Sequence, residues 1–489
     1  MSGVVAAGHP ESAEAGARVL RAGGNAVDAA LGAMLASFVH EPLLTGFGAG
    51  GYMLVCAPGA EPVLLDFFVA ASGRGGAERR ADLLAVDVSF GDAEQVFNVG
   101  AASVGTYGTA AGMDHAARRW GTVPLADLAG PAAEAARAGV PVAEQQAYIT
   151  EILGQALRST PECAALFAPE GRLLRAGETW RSAEVGDALE RFGAEGAVPF
   201  YTGDLAAAAS DHVIERGGTL TREDLAAYEA IERAPVRVGY RDRAVMTNPP
   251  PSAGGILIAT ALHDLAVEPG PPDVRAVVRA MVHAQSERTP EFVAGLDDPG
   301  FAARFAASRL GSTTHISVVD GTGMACGVTC SNGVGSGIVV PGTGLHLNNM
   351  MGEEDLNPLG FFGYEPGRRM PSMTAPTAVL RDGAVELVVG SAGSNRIRSA
   401  ILQVIIGVVD HGRAAGPAVQ APRVHFEDDV VFAEPGVDVD ALRAAGWTVQ
   451  PFRALNLFFG GAQAVQRDLE SGALTGGGDP RGGGAVVSA

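Results

Sequence analysis

Two neighbouring β-like runs in the second half of the chain constrain the fold most. Residues 313–320 and 324–331 are separated only by Gly321, Thr322 and Gly323, which predicts an antiparallel strand pair. Two glycine-rich stretches follow, SNGVGSG at 331–337 and GSAGSNRI at 390–397, and the second leads into a helix predicted over 395–410. Helical periodicity also predicts helices at 12–22, 25–39, 110–120, 125–138, 143–158, 183–192 and 205–216. Because strands and helices occur in both halves without a linker or repeat, we expect one sheet-rich core covered by helices.

The charge balance excludes several classes of function. The 489 residues carry 35 Arg plus Lys against 55 Asp plus Glu, a net charge of −20, and lysine is absent. Mechanisms that need a lysine Schiff base, a lysine general base or a P-loop lysine are therefore excluded. An acidic surface also disfavours nucleic acid as a partner. No stretch approaches the roughly 18 apolar residues of a membrane span, and the amino terminus lacks a basic region, so we expect a cytoplasmic protein that does not associate with membranes.

Other motifs in the chain predict structural roles. GFGAGG at 46–51 matches a dinucleotide fingerprint, but a helix precedes it and a strand follows, the reverse of what that site needs. It is interpreted as a close-approach turn leading into a core strand. The four cysteines are expected to be buried thiols, and the histidines show no metal-binding spacing. No nucleophile-elbow GxSxG occurs. We therefore predict no metal and no cofactor.

The segment STTHISVVD at 312–320 carries the chemistry that the sequence predicts. A threonine hydroxyl is a weak nucleophile unless a base lies beside it. If the chain were cut before Thr313, the new α-amine, with an ordinary pKa of about 7.7 to 8.0, would be that base on the same residue. The glycine-rich junction at 390–397 precedes a helix, so its backbone N–H groups are well placed to stabilise an oxyanion.

Ordered motifs along nearly the whole chain resemble the gamma-glutamyltranspeptidase family of N-terminal-nucleophile hydrolases. The opening segments are GHPESAEAGARVLRAGGNAVDAALGAMLA and HEPLLTGFGAGGYMLV. The middle of the chain contributes GTYGTAAGMDHAARRWGTVPLADLAGPAAEAARAGVPV and NPPPSAGG. The later landmarks are TTHISVVD, GSGIVVPGTGLHLNN, LQVIIGVVDHG, GGAQAVQRD and LTGGGDPRGGGAV. Membership of this family implies an α+β fold, a four-layer αββα sandwich.

The resemblance also implies self-cleavage and a set of catalytic residues. The precursor would cut itself between Ser312 and Thr313, leaving a large subunit, residues 1–312, and a small subunit, residues 313–489, which together form one structural domain. Thr313 would be the nucleophile that forms an acyl-enzyme. Ser331 falls where the family has a second hydroxyl that orients the nucleophile. Gly393 and Ser394 fall at the oxyanion glycine pair, and Ser394 keeps the backbone N–H.

The positions that would bind substrate depart from the family pattern. Phe68 replaces the arginine that grips the donor's α-carboxylate, and Pro371 and Ser372 replace a serine pair that helps it. Glu353 falls where an acid binds the donor's α-amine. Asn332 is assigned to the family's asparagine in a segment that is shorter than usual. The resemblance therefore implies retained chemistry with an altered specificity pocket, in which Arg74 is a candidate to replace the missing arginine.

Three hypotheses follow from these residues. The first is a gamma-glutamyl hydrolase or transpeptidase acting on glutathione-like donors, with water or an amine as acceptor. The second is an acylase or small-amide amidohydrolase that uses the same Thr313 chemistry, as Phe68 and Pro371 suggest. The third is an unprocessed binding or scaffold protein that retains only the fold. For the two enzymes, the expected partners are a small acyl amide donor and the large/small subunit heterodimer, which could assemble further into a dimer of heterodimers.

Overall fold

Two antiparallel sheets form the centre of the molecule in the computed structural model, which describes residues 2–89, 94–286 and 313–489. The first sheet has seven strands, in the spatial order Ala485–Ser488, Gly3–Ala7, Thr314–Asp320, Ala325–Ser331, Gly50–Cys56, Val63–Phe67 and Ile231–Arg233. The second sheet has six strands, in the order Leu474–Gly478, Gly461–Arg467, Ala384–Ala392, Thr377–Arg381, Arg243–Thr247 and Val236–Tyr240. The predicted strand pair lies in the first sheet, with Thr314 opposite Cys330.

Three buried apolar clusters show that the two sheets lie face to face between helical layers. Side chains of a strand alternate between the faces of its sheet, and those of each sheet divide between two clusters. Val4 and Leu54 belong to the cluster between the sheets, whereas Val5 and Val55 belong to the cluster between the first sheet and its helices. The second sheet divides in the same way, and its outer cluster includes side chains of helices. The predicted four-layer αββα sandwich is confirmed.

The predicted helices are present with small shifts of their ends. The helices before residue 220 are Pro10–Arg21, Ala26–His40, Thr109–Trp120, Leu125–Ala138, Glu144–Ile152, Gly154–Leu157, Pro161–Phe167, Ala183–Glu195, Val198–Tyr201 and Asp204–Glu215. Of these, the short helices Pro161–Phe167 and Val198–Tyr201 were not predicted. Later in the chain come Arg222–Ala226, Gly254–Ala266, Val274–Ser286, Arg396–Val409, Ala415–Gln420 and Val439–Ala444. The helix predicted over 143–158 is two helices, interrupted at Leu153. The break directly precedes Gly154, and glycine is a weak helix former.

Smaller elements surround this framework. Short antiparallel pairs join Leu84–Ser89 to Glu94–Val99, Val140–Pro141 to Thr179–Trp180, and Val339–Val340 to Leu345–His346. Val424–Glu427, Val430–Ala433 and Thr448–Pro451 form a three-stranded sheet. Within the described ranges, no helix combines the length and the apolar character needed to cross a bilayer.

The GFGAGG segment leads into the strand Gly50–Cys56, as predicted. A Cβ atom added at Gly48 would lie 2.2 Å from the carbonyl oxygen of His346, and one added at Gly51 would lie 2.2 Å from that of Thr329. Both positions therefore require glycine because backbone approaches too closely for any side chain. The interpretation of this segment as a close-approach turn is confirmed. The four cysteines are free and buried, also as predicted.

Candidate active site

Thr313 lies directly before the strand Thr314–Asp320, near the middle of the seven-stranded sheet. Its side chain is 2% exposed, and its hydroxyl has no hydrogen-bond partner among the described residues. Leaving a buried polar group unpaired costs about 1 to 3 kcal/mol. Such an atom, placed beside a cavity, is available for chemistry rather than engaged in holding the fold. Ser312, on the other side of the predicted cleavage junction, lies outside the described residues.

The antiparallel register brings Ser331 next to Thr313. Thr314 pairs with Cys330 in an antiparallel register. Thr313, which precedes Thr314, therefore lies across from Ser331, which follows Cys330. The Ser331 hydroxyl accepts a hydrogen bond of 2.9 Å from the backbone N–H of Gly333. Two residues predicted to act together, at the opposite ends of a strand–turn–strand segment of the sequence, are therefore neighbours.

The junction before the helix Arg396–Val409 lies at the same cavity. Gly393 has φ +117°, and a Cβ atom added there would lie 2.4 Å from the Cα of Gly460. Ser394 is buried with φ +63°, a left-handed conformation that costs a non-glycine residue about 1 to 3 kcal/mol and that is typical of functional sites. The N–H groups of Arg396 and Ile397 already donate to the carbonyls of Gly393 and Ser394, at 3.0 and 3.1 Å, so it is the positive end of the helix dipole that favours a bound anion here.

The side chains at this junction leave the helix end uncapped. The helix receives no side-chain cap from Asn395 and has no acid in its first turn. The hydroxyl of Ser394 and the amide group of Asn395 make no hydrogen bond with the described residues, although both side chains are buried. Gly393 and Arg396 line the cavity, and the buried polar side chains of Ser394 and Asn395 lie between them in the chain.

The cavity beside Thr313 is predominantly apolar. It contains about 770 Å³ of space, counted out to its opening to solvent. Its larger apolar lining side chains are Leu44, Val88, Phe97, Ile149, Ile152, Leu153, Val334 and Leu457. Glu41, His315, Arg396 and Gln463 add polar groups. An acyl group bound here would meet mainly hydrocarbon.

His315 is unsuited to act as the base for Thr313. Its Nδ1 lies 2.7 Å from the Thr329 hydroxyl and its Nε2 lies 2.9 Å from the Ser317 hydroxyl, so both ring nitrogens are engaged. Burial lowers the pKa of His315 to about 3, which keeps the ring neutral at physiological pH. Its role here is to cross-link the strands.

Glu41 is a lining residue that the sequence analysis did not single out. It follows the helix Ala26–His40 and is 1% exposed. Its carboxyl group accepts hydrogen bonds from the hydroxyls of Thr314, at 2.9 Å, and Ser12, at 3.1 Å. Burial raises the pKa of Glu41 to about 7, against a smaller opposing effect of these two bonds. One feature of the sequence could have pointed to Glu41: it is the single acid in the otherwise uncharged stretch 29–60.

The residues predicted to bind substrate lie outside the cavity lining. Phe68 stacks on Tyr52, with ring centroids 5.3 Å apart, in the cluster between the two sheets. The Ser372 hydroxyl lies 2.7 Å from that of Thr374. The half-buried Arg74 does not line the cavity either. For Phe68, Ser372 and Arg74, a contact with substrate remains a prediction.

Two further predicted residues lie closer to the cavity. A Cβ atom added at Gly333, a lining residue, would lie 2.3 Å from Oε1 of Glu353, so this acid borders the cavity wall. The Asn332 amide nitrogen lies 3.3 Å from Nδ1 of His346, and its amide oxygen has no partner among the described residues. Glu353 and Asn332 are therefore near the site without forming its lining.

Comparison with known proteins identifies a matching family and a matching fold. The gamma-glutamyltranspeptidase family model matches residues 12–289 and 282–489. The chain is 31% identical to the glutathione hydrolase proenzyme of Escherichia coli K12, over 98% of this chain and 90% of that protein. It is also 31% identical to the acylase ACY 1 proenzyme of Pseudomonas sp. strain SE83, over 91% and 87% of the respective chains. The crystal structure of cephalosporin acylase from Bacillus halodurans superposes with a TM-score of 0.85 at 27% identity, covering 99% of this chain and 95% of that one.

Proposed function

This chain belongs to the gamma-glutamyltranspeptidase family of amide-bond hydrolases and transferases, and on that premise we propose that it cleaves itself and then uses Thr313 as its nucleophile. The observation that carries the proposal is the buried hydroxyl of Thr313, without a partner among the described residues, at a cavity whose far side is the amino end of a helix. The proenzyme names of the relatives support a processed enzyme.

Self-cleavage exchanges one amide bond for a free acid and a free amine. The Thr313 hydroxyl attacks the carbonyl carbon of Ser312, and the C–N bond breaks as its nitrogen takes up the hydroxyl proton. Water then hydrolyses the resulting ester, which leaves a carboxylate on Ser312 and restores the hydroxyl of Thr313. The new α-amine, with an ordinary pKa of about 7.7 to 8.0, is now a base on the nucleophile's own residue.

Turnover repeats this chemistry on an external amide. The α-amine takes the hydroxyl proton as Oγ1 attacks the donor carbonyl, and the leaving amine departs with that proton. Negative charge on the carbonyl oxygen would be stabilised by the backbone N–H groups around Gly393 and Ser394, where preorganised donors contribute most. Water or an amine then attacks the acyl-enzyme ester and regenerates Thr313, giving hydrolysis or transfer respectively.

Replacement of the nucleophile tests this reaction class. We expect the wild type to become two chains, 1–312 and 313–489, on a denaturing gel and by intact mass. Thr313→Ala should remain one chain and be inactive, and Thr313→Ser should still cleave. Thr322→Ala, at an exposed threonine in the turn after the same strand, is the matched control and should behave as wild type. An active Thr313→Ala protein cut at the same junction would overturn the proposal.

The proposed donors are gamma-glutamyl amides of the glutathione type. The relatives named glutathione hydrolase and the position of Glu353 beside Gly333 support this choice, because a buried carboxylate can bind a donor's ammonium group. In this reading the donor's α-carboxylate would be held by groups other than Phe68, which lacks a polar atom.

A second candidate is an acylase for apolar acyl groups, and the lining of the cavity favours it. Ile149, Ile152, Leu153 and Phe97 present hydrocarbon beside Thr313, whereas a glutamyl group carries two charges that would lose water there. The acylase ACY 1 relative and the cephalosporin acylase structure support this alternative.

Two donors with the same leaving group separate the candidates. Gamma-glutamyl-p-nitroanilide and hexanoyl-p-nitroanilide differ only in the acyl part. If the apolar lining selects the donor, kcat/KM should be higher for the hexanoyl donor, and Ile149→Asn should lower it about tenfold or more while affecting the glutamyl donor less. A higher kcat/KM for the glutamyl donor would exclude the acylase reading.

A further inference from the structure

Glu41 is a buried acid that the proposed reaction does not use. It lines the same cavity as Thr313, and its two carboxyl oxygens each accept one hydroxyl hydrogen bond, Oε1 from Thr314 and Oε2 from Ser12. Thr314 is the residue directly after the nucleophile and the first residue of its strand. One end of this hydrogen-bonded chain is therefore attached to the backbone that carries the reacting hydroxyl.

Among the titratable and charged groups around the cavity that the structure describes, Glu41 is the one that changes its charge near neutral pH. Burial lowers the pKa of both His9 and His40 to about 4, and that of His315 to about 3, so these rings are neutral above pH 5. Arg396, across the cavity, keeps its positive charge at every accessible pH. Among the described lining residues, Glu41 is the acid whose ionisation falls in the working range.

The charge of Glu41 decides how well it holds the two hydroxyls. Both hydroxyls donate to it, and a carboxylate accepts two such bonds at once. A protonated carboxyl group carries a hydrogen on one oxygen, which makes that oxygen a donor and a poorer acceptor, so one of the two hydroxyl hydrogen bonds is weakened. Hydrogen bonds to an ionised acceptor are also about twice as strong as neutral ones. Ionisation therefore tightens the contact with Thr314.

We propose that Glu41 is a positioning residue for self-cleavage: its carboxylate holds the hydroxyl of Thr314 and thereby fixes the neighbouring residue 313 for attack on the junction. The inference rests on the proposed self-cleavage and adds a controlling group to it. Before cleavage the nitrogen of Thr313 is part of a peptide bond and cannot titrate, so the α-amine contributes nothing to the pH dependence of this first step. Ionisation of Glu41 should therefore make the rate of self-cleavage rise with pH, with a midpoint near pH 7.

The test measures the rate of self-cleavage in freshly made full-length chain. The chain is synthesised in a short cell-free pulse, shifted to buffers between about pH 5.5 and 9, and followed by the loss of the intact band. Wild type should cleave about tenfold faster on the alkaline side of the midpoint than on the acid side, as expected for two charge-assisted bonds in place of neutral ones. Glu41→Gln should cleave at the acid-side rate of wild type at every pH.

Variants of the two hydroxyl partners separate positioning from a general loss of fold. In Thr314→Val, as in Glu41→Gln, the rate of self-cleavage should no longer rise with pH. Thr314→Ser keeps the hydroxyl, so its rate should rise with pH as in wild type. Ser12→Ala removes a bond that favours the ionised form, so the rise should persist with its midpoint moved to higher pH. Thr322→Ala should match wild type. Because only the Ser variant of Thr314 keeps the hydroxyl, this pair of variants decides the question even if Glu41→Gln does not fold.

The outcomes for this inference and for the proposed function are distinguishable. A wild type that cleaves, together with a Glu41→Gln variant that keeps the same rise with pH, overturns the role of Glu41 and leaves the nucleophile untouched. A Thr314→Val variant with a wild-type profile does the same. A wild type that never cleaves at any pH overturns both.

Discussion

Two buried polar regions lie on either side of the glycines Gly460 and Gly461, and they are built in opposite ways. In the first, Arg423 and Arg481 face Asp479 and Glu434, and all four side chains are buried. Asp479 pairs with Arg423 at 2.7 Å and with Arg481 at 3.0 Å, and Glu434 pairs with Arg481. Two cations meet two anions, and the guanidinium groups also donate to main-chain carbonyls such as those of Val419.

The second region is the cavity at Thr313, where polar groups are left over. The hydroxyls of Thr313 and Ser394 and the amide of Asn395 are without partners among the described residues, and Glu41 is an acid without a cationic partner in the same ranges. The two regions are in contact, because Gly461 and Gly482 line the cavity while Arg423 donates to the Gly460 carbonyl at 3.3 Å. The ion network supports the wall of the open site, so burial of a polar group does not by itself mark function. A single missing partner does not mark it either, since Nε of Arg423 has none within the described ranges; what sets Thr313 apart is that its partnerless hydroxyl borders a cavity.

Breaking the closed network should have the largest effect on stability. Each oxygen of Asp479 accepts one main-chain N–H and one guanidinium N–H. In Asp479→Asn an amide NH₂ would point at two donors and leave the cations uncompensated, so we expect a loss of about 3 to 5 kcal/mol in the free energy of unfolding. Urea denaturation measures it. The control Glu268→Gln, in an exposed pair with Arg279, should cost about 0.5 kcal/mol or less, and equal losses in the two variants would contradict the comparison.

In the open site, the pH dependence of stability should expose Glu41. Its folded pKa of about 7 exceeds its usual value of 4.5, so between these values the folded chain holds a proton that the unfolded chain has lost. Stability therefore falls as pH rises from about 4.5 to 7, by up to about 3 kcal/mol. Glu41→Gln should lack this fall, so its free energy of unfolding relative to wild type should improve between pH 4 and pH 8. A constant difference across that range would contradict the assignment.

Gly393→Ala should damage the open site with a moderate loss of stability. The added Cβ would meet the Cα of Gly460 at 2.4 Å, and φ is +117°, so the backbone must shift. We expect a cost of about 1 to 3 kcal/mol together with loss of turnover. Gly383→Ala, also at positive φ but with no atom within 4 Å of the added Cβ, serves as the matched control and should keep its activity. Full turnover by Gly393→Ala would remove this junction from the mechanism.

The smallest effect on stability is expected when the hydroxyl of Ser394 is removed. It makes no hydrogen bond with the described residues, so Ser394→Ala should change the free energy of unfolding by about 0.5 kcal/mol or less and leave turnover supported by the backbone N–H. The buried Ser399 hydroxyl, 2.8 Å from Nδ1 of His425, is the contrasting position, where Ser399→Ala should cost about 1 kcal/mol. A larger loss at Ser394 than at Ser399 would show that the Ser394 hydroxyl is engaged.

The sequence predicted the framework well because its signals are local. The helix predicted over 25–39 is Ala26–His40, since Asn25 and Asp28 form a capping box at its start and apolar residues continue to its end. The strand pair around Gly321 and Gly323 was found through turn composition. The proposed nucleophile Thr313, together with Ser331 and Gly393, was assigned through motif resemblance, and the strand register and the cavity then bring these residues together.

The rest of the site depends on contacts between distant segments. Glu41 acquires its properties from burial and from a hydrogen bond to Thr314, 273 residues away, and no local pattern shows that an acid after a helix will be enclosed. Phe68 could be assigned to substrate by alignment alone, yet its ring lies against Tyr52 between the sheets. Side-chain direction along a strand end is decided by sheet packing, which a motif does not encode.

The strand order has a consequence for the two products of self-cleavage. The strand Gly3–Ala7 lies between Thr314–Asp320 and Ala485–Ser488, Gly50–Cys56 pairs with Ala325–Ser331, and Arg243–Thr247 pairs with Thr377–Arg381. Each sheet is thus woven from pieces on both sides of the cut. Cleavage would break one peptide bond but leave strands of both chains paired within each sheet. The two chains should therefore copurify through dilution and high salt, and separate only when the protein is denatured.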